Sequence, residues 1–402
     1  MELYIFNRDL NLIGILDTFT SLRWIRRYFE SGAFELHCDL NEETLKLLQR
    51  DSIIYKKDDL EAGYIETRQL KIRQDGQEYL EVRGKFLISY LDRRINWNIL
   101  NFSGKTEELI RALVNYNAIN PTNIDRKIPN LILGDSRGFS EEINYQNSYG
   151  NMLDCLESIS KTSNLGYRNL LNIKNKKIIF EIYKGVDRTI NNGSIAPCIF
   201  SRDFENILEQ EYTDSLNNYK NTCLIAGAGE DKDRKMASIE ESVGLDRFEM
   251  YVDARDLQNT EEKKKMVVDY DEKGNPTGEH EETEEIEIPW EGYKPLLLQR
   301  GNEKLEECKE IQTFDSKINA NGNNVYKKDF DLGDIVTVVD KNWGIRIDTR
   351  ITEVEEVCED GKIEINPTFG NTIPTIVDRI KNIEKTANVK NSSIAIIDGG
   401  TF

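Results

Sequence analysis

Histidine is nearly absent from this 402-residue chain, which has only His37 and His280. A Ser-His-Asp or Cys-His arrangement, or a metal site using histidine, has to recruit one of those two. Neither has a supporting motif such as G-x-S-x-G. Positive charge is also short. There are 53 Lys and Arg against 72 Asp and Glu, giving a net charge of −19. That balance argues against a general nucleic-acid binder and disfavours docking on an anionic membrane. Apolar runs such as Leu296-Leu297-Leu298 and Ile335-Val336-Thr337-Val338-Val339 fall far short of a membrane span. The start, Met1-Glu2-Leu3-Tyr4-Ile5-Phe6-Asn7-Arg8-Asp9, lacks a basic region followed by a long apolar stretch, so we expect no secretory signal and folding in a cytoplasm. The six cysteines, Cys38, Cys155, Cys198, Cys223, Cys308 and Cys358, are scattered with no C-x-x-C pair. This spacing predicts reduced, mostly buried thiols rather than a disulfide framework or a zinc site.

Apolar residues make up 38% of the chain and charged residues 31%, the balance of a folded, soluble protein. Its length predicts two to four domains. The first stretch reads as sheet. Tyr4–Phe6 and Leu12–Leu16 flank a turn at Asn7-Arg8-Asp9. Leu22, Trp24 and Tyr28 share one face of a strand, with Arg23, Ile25, Arg27 and Phe29 opposite, a pattern expected of a strand covered on both sides. After Ser31-Gly32, Phe34, Leu36, Cys38 and Leu40 alternate with Glu35, His37 and Asp39, predicting the second arm of a hairpin. Ser52–Tyr55, Gly63–Arg73 and Glu78–Arg83 follow as strands, the last after an Asp75-Gly76 turn.

From about 96 to 203 the character changes to α+β. Leu109, Ile110, Leu113 and Val114 form one helix face, and Met152, Cys155, Leu156 and Ile159 another, ending before Asn164-Leu165-Gly166. Lys177–Tyr183 is a strand. The sheet pattern then resumes at Leu208–Tyr212, Tyr219–Ala226 and Phe248–Val252. Asp269 to Glu287 is acidic and contains Gly274-Asn275-Pro276-Thr277-Gly278, so it is expected to be an exposed loop or projecting hairpin. Leu296–Cys308 reads as helix despite Gly301. Ile335–Val339 and Arg346–Val354 are strands, and Asp360-Gly361 turns the chain into the alternating Ile363, Ile365, Pro367 and Phe369. Ile376–Lys385 looks helical, followed by a small polar and glycine-rich end. Two β regions thus flank an α+β segment. They fit two barrels, or one sheet assembled from both ends of the chain.

Motifs that carry chemistry fail on inspection. Gly104-Lys105-Thr106 lacks the upstream glycine of a phosphate loop, since Ile99 stands there, and is expected to be a helix start with Ser103 near the N-cap. Gly227-Ala228-Gly229 has Lys232 where a dinucleotide fingerprint needs glycine, and Glu230-Asp231 would repel a pyrophosphate; a turn is expected. Glu279, Glu281, Glu282, Glu284, Glu285 and Glu287 form the densest carboxylate cluster, expected to be a solvated face rather than a calcium site.

One ordered set of segments goes further. Tyr326-Lys327-Lys328-Asp329-Phe330-Asp331-Leu332-Gly333-Asp334-Ile335-Val336-Thr337-Val338 is followed by Gly344-Ile345, Arg350-Ile351-Thr352-Glu353-Val354 and Ile365-Asn366-Pro367-Thr368-Phe369-Gly370. Near the start stand Arg26-Arg27-Tyr28-Phe29-Glu30-Ser31-Gly32-Ala33-Phe34-Glu35-Leu36 and Gly63-Tyr64-Ile65-Glu66. Over roughly residues 1 to 370, apart from the acidic loop, this set resembles a family of tail proteins from siphophages and related phage-like particles, which is similar in turn to the baseplate hub of contractile tails. The resemblance implies an α+β, β-rich, baseplate-hub-like fold. Two β-barrel-like tube domains (1–95 and 206–370, the latter with the acidic loop 269–287) flank an inserted α+β domain (96–205), and a tail spans 371–402. It implies a homotrimeric ring joining a sixfold tail tube to a threefold tip, non-catalytic and without cofactor, metal or catalytic residues. The implied partners are the tail tube or distal tail protein, a spike or tail-tip protein and the tape measure protein, with no membrane and no specific nucleic acid. An acidic channel wall would discourage DNA from sticking. Some relatives carry a C-terminal hydrolase or fibre-like extension; the stop at Phe402 implies a bare hub, with spike or hydrolase on separate chains. Two rivals remain: a tail-associated peptidoglycan hydrolase, and a receptor- or carbohydrate-binding tail protein using Trp24, Trp97, Trp290 or Trp343, which are expected mostly in core or interface.

Overall fold

In the computed structural model, the described residues are 1–370 except 58, 98, 241, 271–275, 320, 321 and 360. The helix-like piece expected at Ile376–Lys385 lies outside them. The first part contributes β1 (Leu3–Phe6), β2 (Leu12–Leu16), β3 (Ser21–Arg27), β4 (Ala33–Asp39), α1 (Glu42–Leu47), β5 (Ile53–Lys56), β6 (Ala62–Ile72) and β7 (Glu78–Phe86). Alternation decides these strands: Leu22, Trp24 and Arg26 face the core from β3, and Phe34, Leu36 and Cys38 from β4. Outer residues of both strands are half-buried or exposed, so β3 is covered fully on one face only. The short α1 was not expected. A capping box forms it, with Asn41 Oδ1 accepting from Thr44 N at 2.8 Å and Thr44 Oγ1 accepting from Asn41 N at 3.0 Å.

The middle of the chain forms β8 (Ile99–Lys105), α2 (Thr106–Val114), β9 (Leu131–Leu133), β10 (Glu142–Ser148), α3 (Met152–Ser163), β11 (Gly166–Asn172) and β12 (Lys177–Tyr183). Both predicted helix faces are buried. Asn151 caps α3, and Asn164 ends it in the left-handed conformation at φ +57°. Ser103 is not an N-cap: β8 runs directly into α2, and the Ser103 hydroxyl bonds Asn144 Oδ1 on β10 instead. Apolar side chains of this segment pack into the same core as those of the first strands.

The remainder comprises β13 (Asp187–Arg188), β14 (Ile199–Phe200), β15 (Ile207–Ser215), β16 (Thr222–Ala226), β17 (Met236–Glu240), β18 (Glu249–Asp253), β19 (Thr260–Tyr270), β20 (Pro276–Glu287), α4 (Trp290–Glu306), β21 (Ile311–Ile318), β22 (Ile335–Asp340), β23 (Ile345–Glu359) and β24 (Lys362–Gly370). Here α4 covers the three-stranded sheet β17-β16-β18, with a core of its own around Cys223, Ile225, Tyr293 and Leu297. Gly301 is what permits this approach, because a Cβ there would stand 2.8–2.9 Å from Ile225, Cys223 and Ile239. The propensity that glycine forfeits in α4 is offset by packing. The acidic stretch forms most of β20, paired in register with β19 as a two-stranded hairpin.

The chain is strand-rich, 47% strand against 19% helix, which makes it a β-rich α+β fold. Strands from both ends share one sheet in the order β15-β21-β24-β23-β3-β4-β7-β6-β5-β1-β2. The join is the antiparallel pairing of β23 with β3, from Glu353↔Arg27 to Glu359↔Ser21. Among the described residues this path does not close into a barrel; it ends at β15 and β2. Of the two arrangements the sequence allowed, the strand pairing takes the one assembled from both ends. Among the described residues no helix is long and apolar enough to cross a membrane.

All six cysteines are free, and all but Cys308 are buried. Burial pushes the Cys38 and Cys155 thiols up to about 11 and Cys198 up to about 12, so little thiolate exists at neutral pH. Ellman's reagent should therefore label at most one thiol of the native chain within minutes and six in denaturant. Rapid labelling of several native thiols would contradict this packing.

Candidate functional site

Arg26 on the inward face of β3 and Tyr28 just past its end meet residues from the first, middle and last stretches of the chain. Arg26 is 1% exposed. Its Nε bonds Glu61 Oε2 at 2.9 Å, and its Nη1 bonds the Tyr326 hydroxyl and Asp331 Oδ1, each at 2.8 Å. Beside it, the Lys56 and Lys327 ammoniums each lie 3.0 Å from Asp59 Oδ2. They also reach Glu356, at 2.5 and 3.2 Å. Lys56 ends β5, and Asp59 and Glu61 lie in the connection from β5 to β6, while Tyr326, Lys327, Asp331 and Glu356 come from the other end of the chain. The seam between the two β regions is thus a buried lattice of alternating charge.

The electrostatics fit such a lattice. Burial pulls Arg26 down, but Tyr326, Glu61, Asp331 and Asp59 together hold it well above its ordinary value. Burial pushes Asp59 up, and Lys56, Arg26 and Lys327 outweigh it, leaving its carboxyl far below the usual range. For Glu61 burial wins and the carboxyl rises.

Two residues on, just past the end of β3, Tyr28 does the same with shape. Its hydroxyl donates to the carbonyls of Asn164 and Tyr183 at 3.1 and 3.4 Å, its ring meets Tyr183 edge-on, and the Arg350 guanidinium lies over it. The Asp331-Leu332-Gly333-Asp334 segment closes this corner. Gly333 has φ +92°, and a Cβ there would stand 2.4 Å from Tyr28 Cε2. Asp334 accepts from Val186 N at 2.7 Å, Arg188 Nε at 2.8 Å and Asp331 N at 3.0 Å. Sequence reasoning singled out this segment as a pattern. Its partners across the chain were not readable.

No proton-transfer pair emerges here, because each carboxylate faces a cation. The other singled-out residues are dispersed. His280 bonds Asp269 on the exposed hairpin. His37 lies with Glu35 and Glu81 on the open face of the sheet, ligand atoms within 4.8 Å of one another. Lys71 and Arg83 already hold those carboxylates, at 2.5 to 3.0 Å, so the group is an ion-pair lattice. The turn expected at Gly227-Ala228-Gly229 is present: Ala228 N donates to the Tyr293 hydroxyl, and an antiparallel strand follows rather than the helix a dinucleotide site needs. Of the four tryptophans only Trp24 is core. Trp97, Trp290 and Trp343 are 38–49% exposed, because each lies outside the main sheet.

The profile of the family described as Siphovirus ReqiPepy6 Gp37-like protein matches residues 2–371. The chain belongs to that family. No curated protein matches it. The fold is similar to that of a tail protein from Neisseria meningitidis MC58, with TM-score 0.54 and 10% identity over 92% of this chain and 96% of that one. It is likewise similar to prophage tail protein gp18 from Listeria monocytogenes EGD-e, with TM-score 0.51 and 13% identity over 96% and 100%. A 43 kDa tail protein of prophage MuSo2 from Shewanella oneidensis aligns at TM-score 0.50 and 11% identity over 92% and 98%. At such identities the likeness is one of fold.

Two measurements test the seam. Asp59 binds its proton less tightly folded than unfolded, so its contribution is present above the ordinary value of 3.8 and is lost as pH falls through the lowered folded value. Asp59→Asn should cost about 3 kcal/mol at pH 7 by chemical denaturation. The gap from wild type should narrow by about 1 kcal/mol at pH 3; a gap constant with pH would show that Asp59 is not held this way. Gly333→Ala should lose about 3 kcal/mol through strain and the clash with Tyr28, and an unchanged unfolding midpoint would refute that packing.

Proposed function

We propose that this tail protein is a non-catalytic hub, three copies of which form a ring joining the sixfold tail tube to a threefold tip or spike. The observation that carries the reading is the single sheet shared by the two ends of the chain, whose path among the described residues has a free edge at each end. Unpaired strand edges with exposed apolar residues are a liability unless covered. Leu12, Ile13 and Ile15 on β2 and Leu208 on β15 are all more than 40% exposed. Unlike edges of neighbouring copies, meeting head to tail, close a ring and remove both liabilities.

In this reading the β regions 1–95 and 206–370 act as the two tube-type, barrel-like layers of each copy, and residues 96–205 widen the ring. The open face of the joined sheet mixes Glu353, Glu355 and Glu35 with Arg23, Arg27 and Arg83, largely as ion pairs. Facing a channel, it would offer DNA no continuous basic track. The tail tube or distal tail protein, the tape measure protein and a separate spike or tail-tip protein are the partners. Baseplate placement and assembly in the host cytoplasm belong to the same reading. Electron cryomicroscopy of the particle tests it. Three copies around the tail axis are expected; six copies, or a peripheral location, would overturn the hub.

A further inference from the structure

Within the α+β segment, one exposed surface has the composition of a binding hot spot. Trp97, Tyr116, Ile124 and Tyr149 are 49–69% exposed. Local bonds tie together the chain beside Trp97, Tyr116 and Tyr149. Trp97 N and Arg126 Nη2 both donate to Asn117 Oδ1, next to Tyr116, and Asn96 N donates to Gly150 O, next to Tyr149. The Arg126 guanidinium stacks on Trp97 at 4.2 Å. Arg94 donates to the carbonyls of Arg126 and Arg93, and Arg126 to that of Ile95. Among the described residues both arginines spend their donors on carbonyls and Asn117 rather than on carboxylates, in a chain of net charge −19. Burial, and then the adjoining Arg93 and Arg94, lower them respectively, consistent with cations lacking a counter-charge. Exposed Trp and Tyr beside unneutralised Arg is the make-up that dominates protein contacts.

The opposite defect sits on the hairpin β19–β20. By register, Glu262, Glu279, Glu281, Glu285 and Glu287 share one face; Lys264 holds Glu281 and Lys235 reaches Glu287 at 3.4 Å, so among the described residues Glu262, Glu279 and Glu285 face no cation. Glu262 lies directly opposite Glu285, an arrangement that destabilises a strand pair. A two-stranded hairpin on its own is marginal in water. This one pairs only with itself among the described residues, and Met266 on the same face is 55% exposed.

We propose that the acidic face of this hairpin docks, in a second copy of the chain, on the arginine–aromatic surface around Trp97. The two surfaces are complementary in charge, each presents exposed apolar groups, and they differ from each other. Their contact is therefore heterologous, the kind that closes rings. The inference rests on the hub reading and specifies one of its contacts.

Sedimentation velocity of the full chain over a concentration series tests it. Arg94→Glu with Arg126→Glu, and separately Glu262→Lys with Glu285→Lys, should each raise the concentration for half-association by roughly tenfold or more. The second pair keeps like charges directly opposite, so the cross-strand repulsion between positions 262 and 285 is retained. All four substitutions together should restore association. Tyr116→Ala, on an exposed ring, reads the same contact should the arginine reversal misfold, and should also weaken association. Unchanged association in these variants, or no recovery in the fourfold one, overturns the contact while three copies in the particle would still uphold the hub. A wild-type chain monomeric throughout also overturns it, and the hub is then judged by copy number alone. Retention on cell-wall polysaccharide that Tyr116→Ala abolishes, with association unaltered, overturns it in favour of a glycan.

Discussion

Everything in the described chain turns on the inward face of β3, where Arg26 is buried against carboxylates from both ends of the sequence. A buried cation is expensive unless each partner is in place. The seam of Arg26, Lys56, Lys327, Asp59, Glu61, Asp331 and Glu356 is consequently all-or-none in geometry. Apolar contacts tolerate sliding, whereas this lattice specifies the register of β3 against β23. A slip of one residue would carry Arg26 to the outer face and leave four carboxylates facing two lysines.

Tyr28 extends the same constraint to the α+β segment. Its hydroxyl reads the carbonyls at the end of α3 and of β12, and its ring fills the space left by Gly333. One strand thereby aligns three stretches of chain more than 130 residues apart. Rigid alignment of this kind suits a component that transmits geometry between neighbours rather than one that opens around a substrate. By contrast, the free edges β2 and β15, the hairpin β19–β20 and the surface around Trp97 have little to do inside one copy.

Much of the fold was legible. Alternation marked β3, β4 and β24, the Asp-Gly dipeptides marked the turns at Gly76 and Gly361, and two helix faces in the middle were marked by period. The misses have local physical causes. Helix α1 is too short for period to reveal it and depends on a reciprocal cap at Asn41. Ser103 read as a cap because nothing in sequence shows β10 pairing with β8. The helix expected around Gly301 is present, and what sequence could not show is the use of that glycine, its close contact with Ile225 and Cys223.

The sequence by itself determined the class: β-rich with an α+β middle, acidic, with buried thiols, motifs pointing away from nucleotide chemistry, and a tail-family pattern in the Asp331-Leu332-Gly333-Asp334 region. Those properties are written in spacing and composition, which local physics reads directly. Only the tertiary structure decided that the two β regions form one sheet, that Arg26 and Tyr28 hold it together, and that Trp97 lies open. Pairing between residues 300 positions apart depends on three-dimensional complementarity of charge and shape, and no window of sequence carries that information.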